Sequence, residues 1–255
     1  MKLKISIHIL LFIAVGIIFN ESVGQELTAT EIVQKADEKF QGEITSKGEM
    51  KISIIRPAWE RTLSVKIWSK GSEYSLTLIT APANEKGQTF LKRENELWNW
   101  NPKIQRMIKL PPSMMSQGWM GSDYSNDDIL RESSLIKDFN HQLIGEELVE
   151  GYECYVIEMI PKEDAVVVWG KIILWISKED FYQLKAEFYD EDDYLIRTFY
   201  SFDIQNFDDR KLPSRTEIVP AEEPGNKTVV EFVELQFNKP IPDSFFSQQN
   251  MKNVR

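Results

Sequence analysis

"RTLSVKIWSKGSEYSLTLIT", residues 61–80, alternates apolar and polar side chains on either side of a glycine. Leu63, Val65 and Ile67 fall on one face of an extended segment, Gly71 marks a turn, and the next run carries Leu76 and Leu78. A period of two interrupted by a turn residue predicts a pair of antiparallel strands. The same pattern continues outward. In "TFLKRENELWNWNPKIQRMIKL", residues 89–110, Trp98 and Trp100 share a face, and Ile104, Ile108 and Leu110 are predicted to line one face of the following run. Turn-forming clusters recur at "NEKGQ", "VEGYE", "DEDDY" and "EEPGNK". Roughly ten or eleven strands fit this spacing.

One predicted helix precedes them. Thr28 followed by Glu31 is a capping-box pattern, Ile32, Val33, Ala36 and Phe40 form an apolar stripe, and Gly42 stands where the helix over 28–41 should end. A long antiparallel meander with one apolar face must close on itself or curl around a filler. The available fillers are that helix, the segment 112–132 and a last turn near Asp243 to Ser247. The fold class expected is therefore mainly β (α+β), a single curved antiparallel sheet forming an incomplete β-barrel wrapped around short helices. Fillers this short should leave part of the concave face open as a cavity for an apolar ligand.

The first 24 residues read as a secretory signal: Lys2 and Lys4, an apolar run from Ile5 to Phe19, and small residues Ser22 and Gly24 before Gln25. Residues 25–255 then form one domain, with no Pro/Gly/Ser-rich linker dividing it. No cysteine follows the apolar run to take a lipid anchor, and no later run reaches the roughly 18 apolar residues of a membrane span. An exported, anchorless chain is expected, with membrane contact only transient. Without Lys2, Lys4 and Glu21 the formal net charge of −10 becomes −11. Such acidity, with no basic patch, argues against nucleic acid as a partner. The single cysteine, Cys154, excludes an internal disulfide and reads as a small core residue in "YECYVIEMI".

Composition also trims the catalytic options. His141 is the one histidine after the signal, so neither a two-histidine metal site nor HExxH can be built, and beside Asp138 and Asn140 it reads as a surface residue. No serine sits in a GxSxG elbow, and no Gly-rich phosphate loop is present. "DYSNDD" offers oxygen ligands at Asp123, Ser125 and Asp127, but Asp128 and Ser134 occupy the positions where a calcium loop needs Gly and Glu. "DEDD" at 190–193 reads as a solvated turn. No cofactor or metal is expected.

"PPSMMSQGWMGSDYSNDDIL", residues 111–130, breaks the strand series. Pro111 and Pro112 end a strand, Ser113 is placed to cap a short helical piece, and Ser125 to cap a second turn containing Asp127 and Asp128. Met114, Met115, Trp119 and Met120 are core residues or adaptable, polarizable ligand contacts. The segment reads as a two-part plug or lid.

Here the chain resembles a known family. "LWNWNPKIQRMIKL", "MGSDYSNDDIL", "GYECYVIEMIPKE", "ILWISKEDFYQLKAEFYDEDDYLIRTF" and "RKLPSRTEI" together look like the LolA-like outer-membrane lipoprotein-sorting proteins, over nearly the whole chain after the signal. The most specific element is Gly121, Ser122, Asp123, Tyr124 and Ser125 followed by Asp128. The resemblance implies a periplasmic carrier that shields acyl chains of lipoproteins or lipids on their way to the outer membrane. It also implies an inner-membrane exporter as donor and an outer-membrane acceptor. Under that reading Trp98, Trp100, Met114, Met115, Trp119 and Met120 are the candidate ligand contacts. A structural or accessory subunit docking through a sheet edge, and an envelope hydrolase using a carboxylate pair, are the alternatives.

Overall fold

The computed structural model describes residues 26–42, 44–94, 96–130, 134–165 and 167–255. The expected signal segment lies outside them. Helix α1 spans Ala29–Gln41. Its start is secured as the spacing predicts: the Glu31 N–H donates to Thr28 Oγ1 at 3.2 Å, and the Thr28 N–H donates to the Glu31 carboxylate at 2.8 Å. These bonds satisfy donors that the first helical turn leaves open. At the other end Gly42 turns out of the helix with φ +77, a conformation that carries no Cβ penalty in glycine.

Thirteen strands follow among the described residues, more than the spacing predicts. They are β1 (Thr45–Arg56), β2 (Trp59–Lys70), β3 (Tyr74–Ala81), β4 (Thr89–Arg93), β5 (Glu96–Asn101), β6 (Arg106–Lys109), β7 (Phe139–Val149), β8 (Tyr152–Pro161), β9 (Lys171–Ser177), β10 (Gln183–Tyr189), β11 (Leu195–Phe207), β12 (Arg210–Pro220) and β13 (Lys227–Phe237). The shortfall has a physical source, since β4, β5 and β6 are too short to show a clear alternation. All belong to one antiparallel sheet in the order β6-β5-β4-β3-β2-β1-β13-β12-β11-β10-β9-β8-β7. Two meanders are thus sewn together by β1 against β13, and the sheet is not closed into a barrel. Its free edges are β6 and β7. The chain joining those edges is the segment from Leu110 to Asp138, so the predicted lid bridges the place where a barrel would have closed.

The concave face carries two apolar clusters. One gathers Ile52, Ile54, Leu63, Val65, Ile79 and Phe90 around Met115 and Trp119 of the bridging segment. The other packs Ile32, Val33 and Ala36 of α1 against Phe139, Ile157, Met159, Leu174 and Phe188. Cys154 is fully buried on the alternate face of β8, and burial pushes its thiol up to about 11, consistent with an inert core role.

Several expectations need correction. Ile104 lies in the β5–β6 turn and is exposed, leaving Ile108 and Leu110 on the inner face of β6 and its continuation. Ser113 does not cap its turn: the short 3₁₀ piece Pro112–Met114 follows Pro111 with no side-chain cap. Helix α2 (Asn126–Leu130) belongs to the bridging segment, whereas the C-terminal segment, 3₁₀ turn Asp243–Phe245 and helix α3 (Gln248–Met251), does not fill the concave side. Its Phe246, Met251 and Val254 cover Leu76, Leu78 and Leu91 on the outer face. Strand β3 has Ser75, Thr77 and Ile79 inward and Leu76 and Leu78 outward, with Leu91 of β4 beside Leu76, so this apolar outer face requires a cover of its own.

His141 is half-buried, unlike the surface residue expected. Nε2 lies 2.7 Å from the Leu135 carbonyl, so it must donate, and Nδ1 then accepts from the Thr30 hydroxyl at 3.1 Å. The ring joins α1 to the bridging segment as a neutral imidazole. Burial, aided by Lys162, holds its pKa below the ordinary 6.5, against the Leu135 hydrogen bond. A depressed histidine pKa means that the unfolded chain takes the proton first. The associated stability is therefore intact above about pH 6.5 and is lost as pH falls from there through the folded value. The melting temperature should fall over that window in the native chain and fall less in a His141→Gln variant; equal slopes would contradict the assignment.

Candidate functional site

The 111–130 segment is held on the sheet by three arginines. Its register begins with Trp119, fully buried, whose ring meets Phe90 edge-on with centroids 5.5 Å apart. Met120 has φ +54 and its carbonyl accepts from Arg61 of β2, which also pairs with Glu85 at 2.9 Å. Gly121 follows at φ +78. Asp123 then meets Arg56 of β1 in a two-pronged contact, Nη1 to Oδ2 at 3.1 Å and Nη2 to Oδ1 at 3.0 Å. Thr228 of β13 donates its hydroxyl to the same carboxylate at 2.7 Å and accepts from the Asp123 N–H at 2.9 Å.

Asp128 is the second anchor. It caps α2 by accepting from the Ser125 N–H at 2.6 Å and the Ser125 hydroxyl at 2.8 Å, while its own N–H donates to Ser125 Oγ at 3.2 Å. Arg197 of β11, almost fully buried, donates to Asp128 at 2.8 Å and to the Asp123 carbonyl at 2.7 Å. The guanidinium plane also lies over three rings, 4.3 Å from Trp169, 4.7 Å from Phe188 and 4.9 Å from Phe199. Gly121, Ser122, Asp123, Tyr124, Ser125 and Asp128 are thus one connected unit of turn, cap and ion pair. Sequence reading missed Arg56, Arg61 and Arg197, whose partners lie 59 to 74 residues away along the chain.

Beside this unit is an open-mouthed cavity of about 630 Å³, bounded by the concave sheet, α1 and the bridging segment. Its aromatic wall includes Trp169, Phe188, Phe199 and Tyr124, with Phe188 and Phe199 at 4.7 Å and Tyr124 edge-on to Phe199 at 5.7 Å. Phe40 of α1 and Phe232 of β13 meet edge-on at 5.5 Å and line it from the side. The volume falls within the roughly 300–1,000 Å³ of sites that engulf small apolar ligands. Among the described residues no cluster of three His, Cys, Asp or Glu side chains is placed to hold a metal ion.

The six candidate contacts divide. Met115 and Trp119 are buried, and Met114 and Met120 partly so, in the cluster beside the cavity, where they plug one end of the concave face. None of the four is among the cavity's lining residues, to which the segment contributes Tyr124, Asp127, Asp128 and Ile129. Trp98 and Trp100 lie on the opposite face of the sheet under Phe245 and its neighbours, away from the cavity. Alternation explains this: Leu97 points inward to the plug, so Trp98 and Trp100 must point outward.

An open antiparallel sheet curled around helices with an apolar hollow is a fold that known proteins share. A LolA superfamily protein from Nitrosomonas europaea is 27% identical with a TM-score of 0.77, over 88% of this chain and 100% of that one. A DUF1329 family protein from Desulfovibrio piger is 24% identical with a TM-score of 0.78, over 88% and 97%. A curated relative, an uncharacterized protein of Methanocaldococcus jannaschii, is 23% identical over 178 residues, 69% of this chain and 49% of the relative. The chain therefore spans about half the length of the curated relative it matches. A family model described as "Uncharacterized protein" matches residues 71–253, and the chain belongs to that family, which is LolA-like. No helix among the described residues is long and apolar enough to cross a membrane.

Proposed function

We propose that this protein is an exported, periplasmic carrier that holds the acyl chain of a lipoprotein or lipid in the cavity beneath the 111–130 segment and moves it towards the outer membrane. The observation that carries the reading is the hollow of about 630 Å³ walled by Trp169, Phe188, Phe199, Phe40 and Phe232. At about 0.8 kcal/mol per methylene, an acyl chain resists water strongly enough to require such a shelter in transit. A bridging segment that spans the sheet's free edges and is fastened by side chains can part from it and return. Release would then go to an outer-membrane acceptor and loading would come from an inner-membrane exporter, with no catalytic step required.

A second reading has its own observation. Strand β7 is a free edge with Leu143, Ile144 and Leu148 exposed, which suits docking of a partner's strand by an accessory subunit. Native mass spectrometry with lipid extraction on residues 25–255, purified without detergent, separates the two. Co-purified lipid or lipoprotein displaced by an added acyl ligand is the result expected for a carrier. A protein that comes empty, refuses acyl ligands and retains a protein partner would establish the second reading instead.

A further inference from the structure

The hollow stops against the plug on five neighbouring strands. Its lining ends at Thr77 of β3, Ile67 of β2, Met50 of β1, Phe232 of β13 and Thr216 of β12. Two residues further on, facing the same way, stand Ile79, Val65, Ile52, Val230 and Ile218, none of them more than 1% exposed and all in the cluster around Met115 and Trp119. The step runs forward along β1, β3 and β12 and backward along β2 and β13, so between antiparallel neighbours it points one way in space. In the opposite direction the lining passes Ser46, Ser69 and Ser75 to the β2–β3 turn, where Gly71 is exposed and Ser72 half-buried. The lined strip is thus blind, with serines at the sheet margin and Met50, Ile67 and Phe232 at its inner end.

That inner end is firm. Tyr124 and Ile129 of the bridging segment face the hollow and pack onto the same cluster. Behind them Trp119 is fully buried and Met115 nearly so, with Trp119 edge-on to Phe90. A close-packed cluster takes in no added methylene without displacing its neighbours. An acyl chain lying tail inward, its polar head among the serines, therefore gains burial with each methylene only until the tail meets Met50 and Ile67.

We infer that the plug is a stop that fixes the length of acyl chain the carrier holds, with Met50 and Ile67 as the residues that set it. This rests on the carrier reading above, and the test separates the two. Straight-chain fatty acids from octanoate to stearate are competed against a fluorescent fatty acid bound to the native protein. Affinity is expected to rise about fourfold per methylene and then to level off at one chain length. Ile67→Ala, which deepens the floor, should move that break to a chain about two carbons longer, and Ile67→Trp, which fills it, should move it about two carbons shorter. The break in the native protein tests the stop, and either variant, once thermal melting shows it folded, tests the residue. A gain that continues unbroken to stearate, or a break that stays in place in a folded variant, would overturn the inference and leave the carrier standing. Failure of every chain length to bind would remove the carrier reading and the inference with it.

Discussion

Replacing Arg197 with methionine is expected to lower the stability of the protein by about 3–5 kcal/mol, a drop on the order of 10 °C in melting temperature for a chain of this size. Methionine keeps much of the volume, so the loss is not chiefly a cavity. It comes from leaving Asp128, whose side chain is only 12% exposed, without its cation, and from stranding the Asp123 carbonyl. The three rings under the guanidinium lose their cation as well. Because Arg197 ties the bridging segment to the cavity wall, proteolysis within 111–130 should accelerate in parallel with the loss of stability. Adding Asp128→Asn to the variant should recover part of the loss by removing the orphaned charge. Arg197→Lys should fall between, since an ammonium restores charge but not the planar fork that reaches Asp128 and Asp123 together. Thermal unfolding of the four proteins decides the matter; a methionine variant as stable as the native chain would show that the pair contributes nothing.

The second large effect concerns the hollow itself. Ser201→Phe places a ring into the cavity from β11, on the same face as Phe199. Among the described residues its hydroxyl meets Thr216 alone, at 3.3 Å, and phenylalanine suits a strand, so the fold should survive at a cost below about 1 kcal/mol. A ring that displaces about two or three methylenes of a bound chain removes about 2 kcal/mol of burial. Acyl-ligand affinity should therefore fall by more than about tenfold while circular dichroism and melting stay near native. Thr216→Phe, entering from β12 at the paired position, should do the same. Undiminished uptake by both folded variants would move the binding place away from this cavity.

Much of the architecture follows from local pattern. The capping box at Thr28 and Glu31, the hairpin at Gly71, the turns at 84–88 and 190–194 and the break at Pro111 each rest on neighbours within a few residues. For that reason they were legible. Short strands such as β6 were not, because four residues hold too few alternations to stand out from a loop. The motif from Gly121 to Asp128 was visible as a resemblance, and the Ser125–Asp128 cap within it as spacing. Its purpose in the fold was not visible, since Arg56, Arg61 and Arg197 reach it from strands far along the chain. No local signal separates those three arginines from the others.

The amino-acid sequence by itself determined the α1 helix, the serial antiparallel strands and the apolar, turn-rich segment that interrupts them, because periodicity and capping act over a few residues. Only the tertiary structure decided which face each strand turned inward, where the sheet stopped short of closing and what the interruption covered. A strand's side chains change face with every residue, so Leu97 joined the plug while Trp98 and Trp100 went beneath the C-terminal segment. The cavity exists because α1 and the bridging segment, fixed by contacts across the whole chain, fill the concave face incompletely, and incomplete filling is a property of the assembled sheet rather than of any stretch within it.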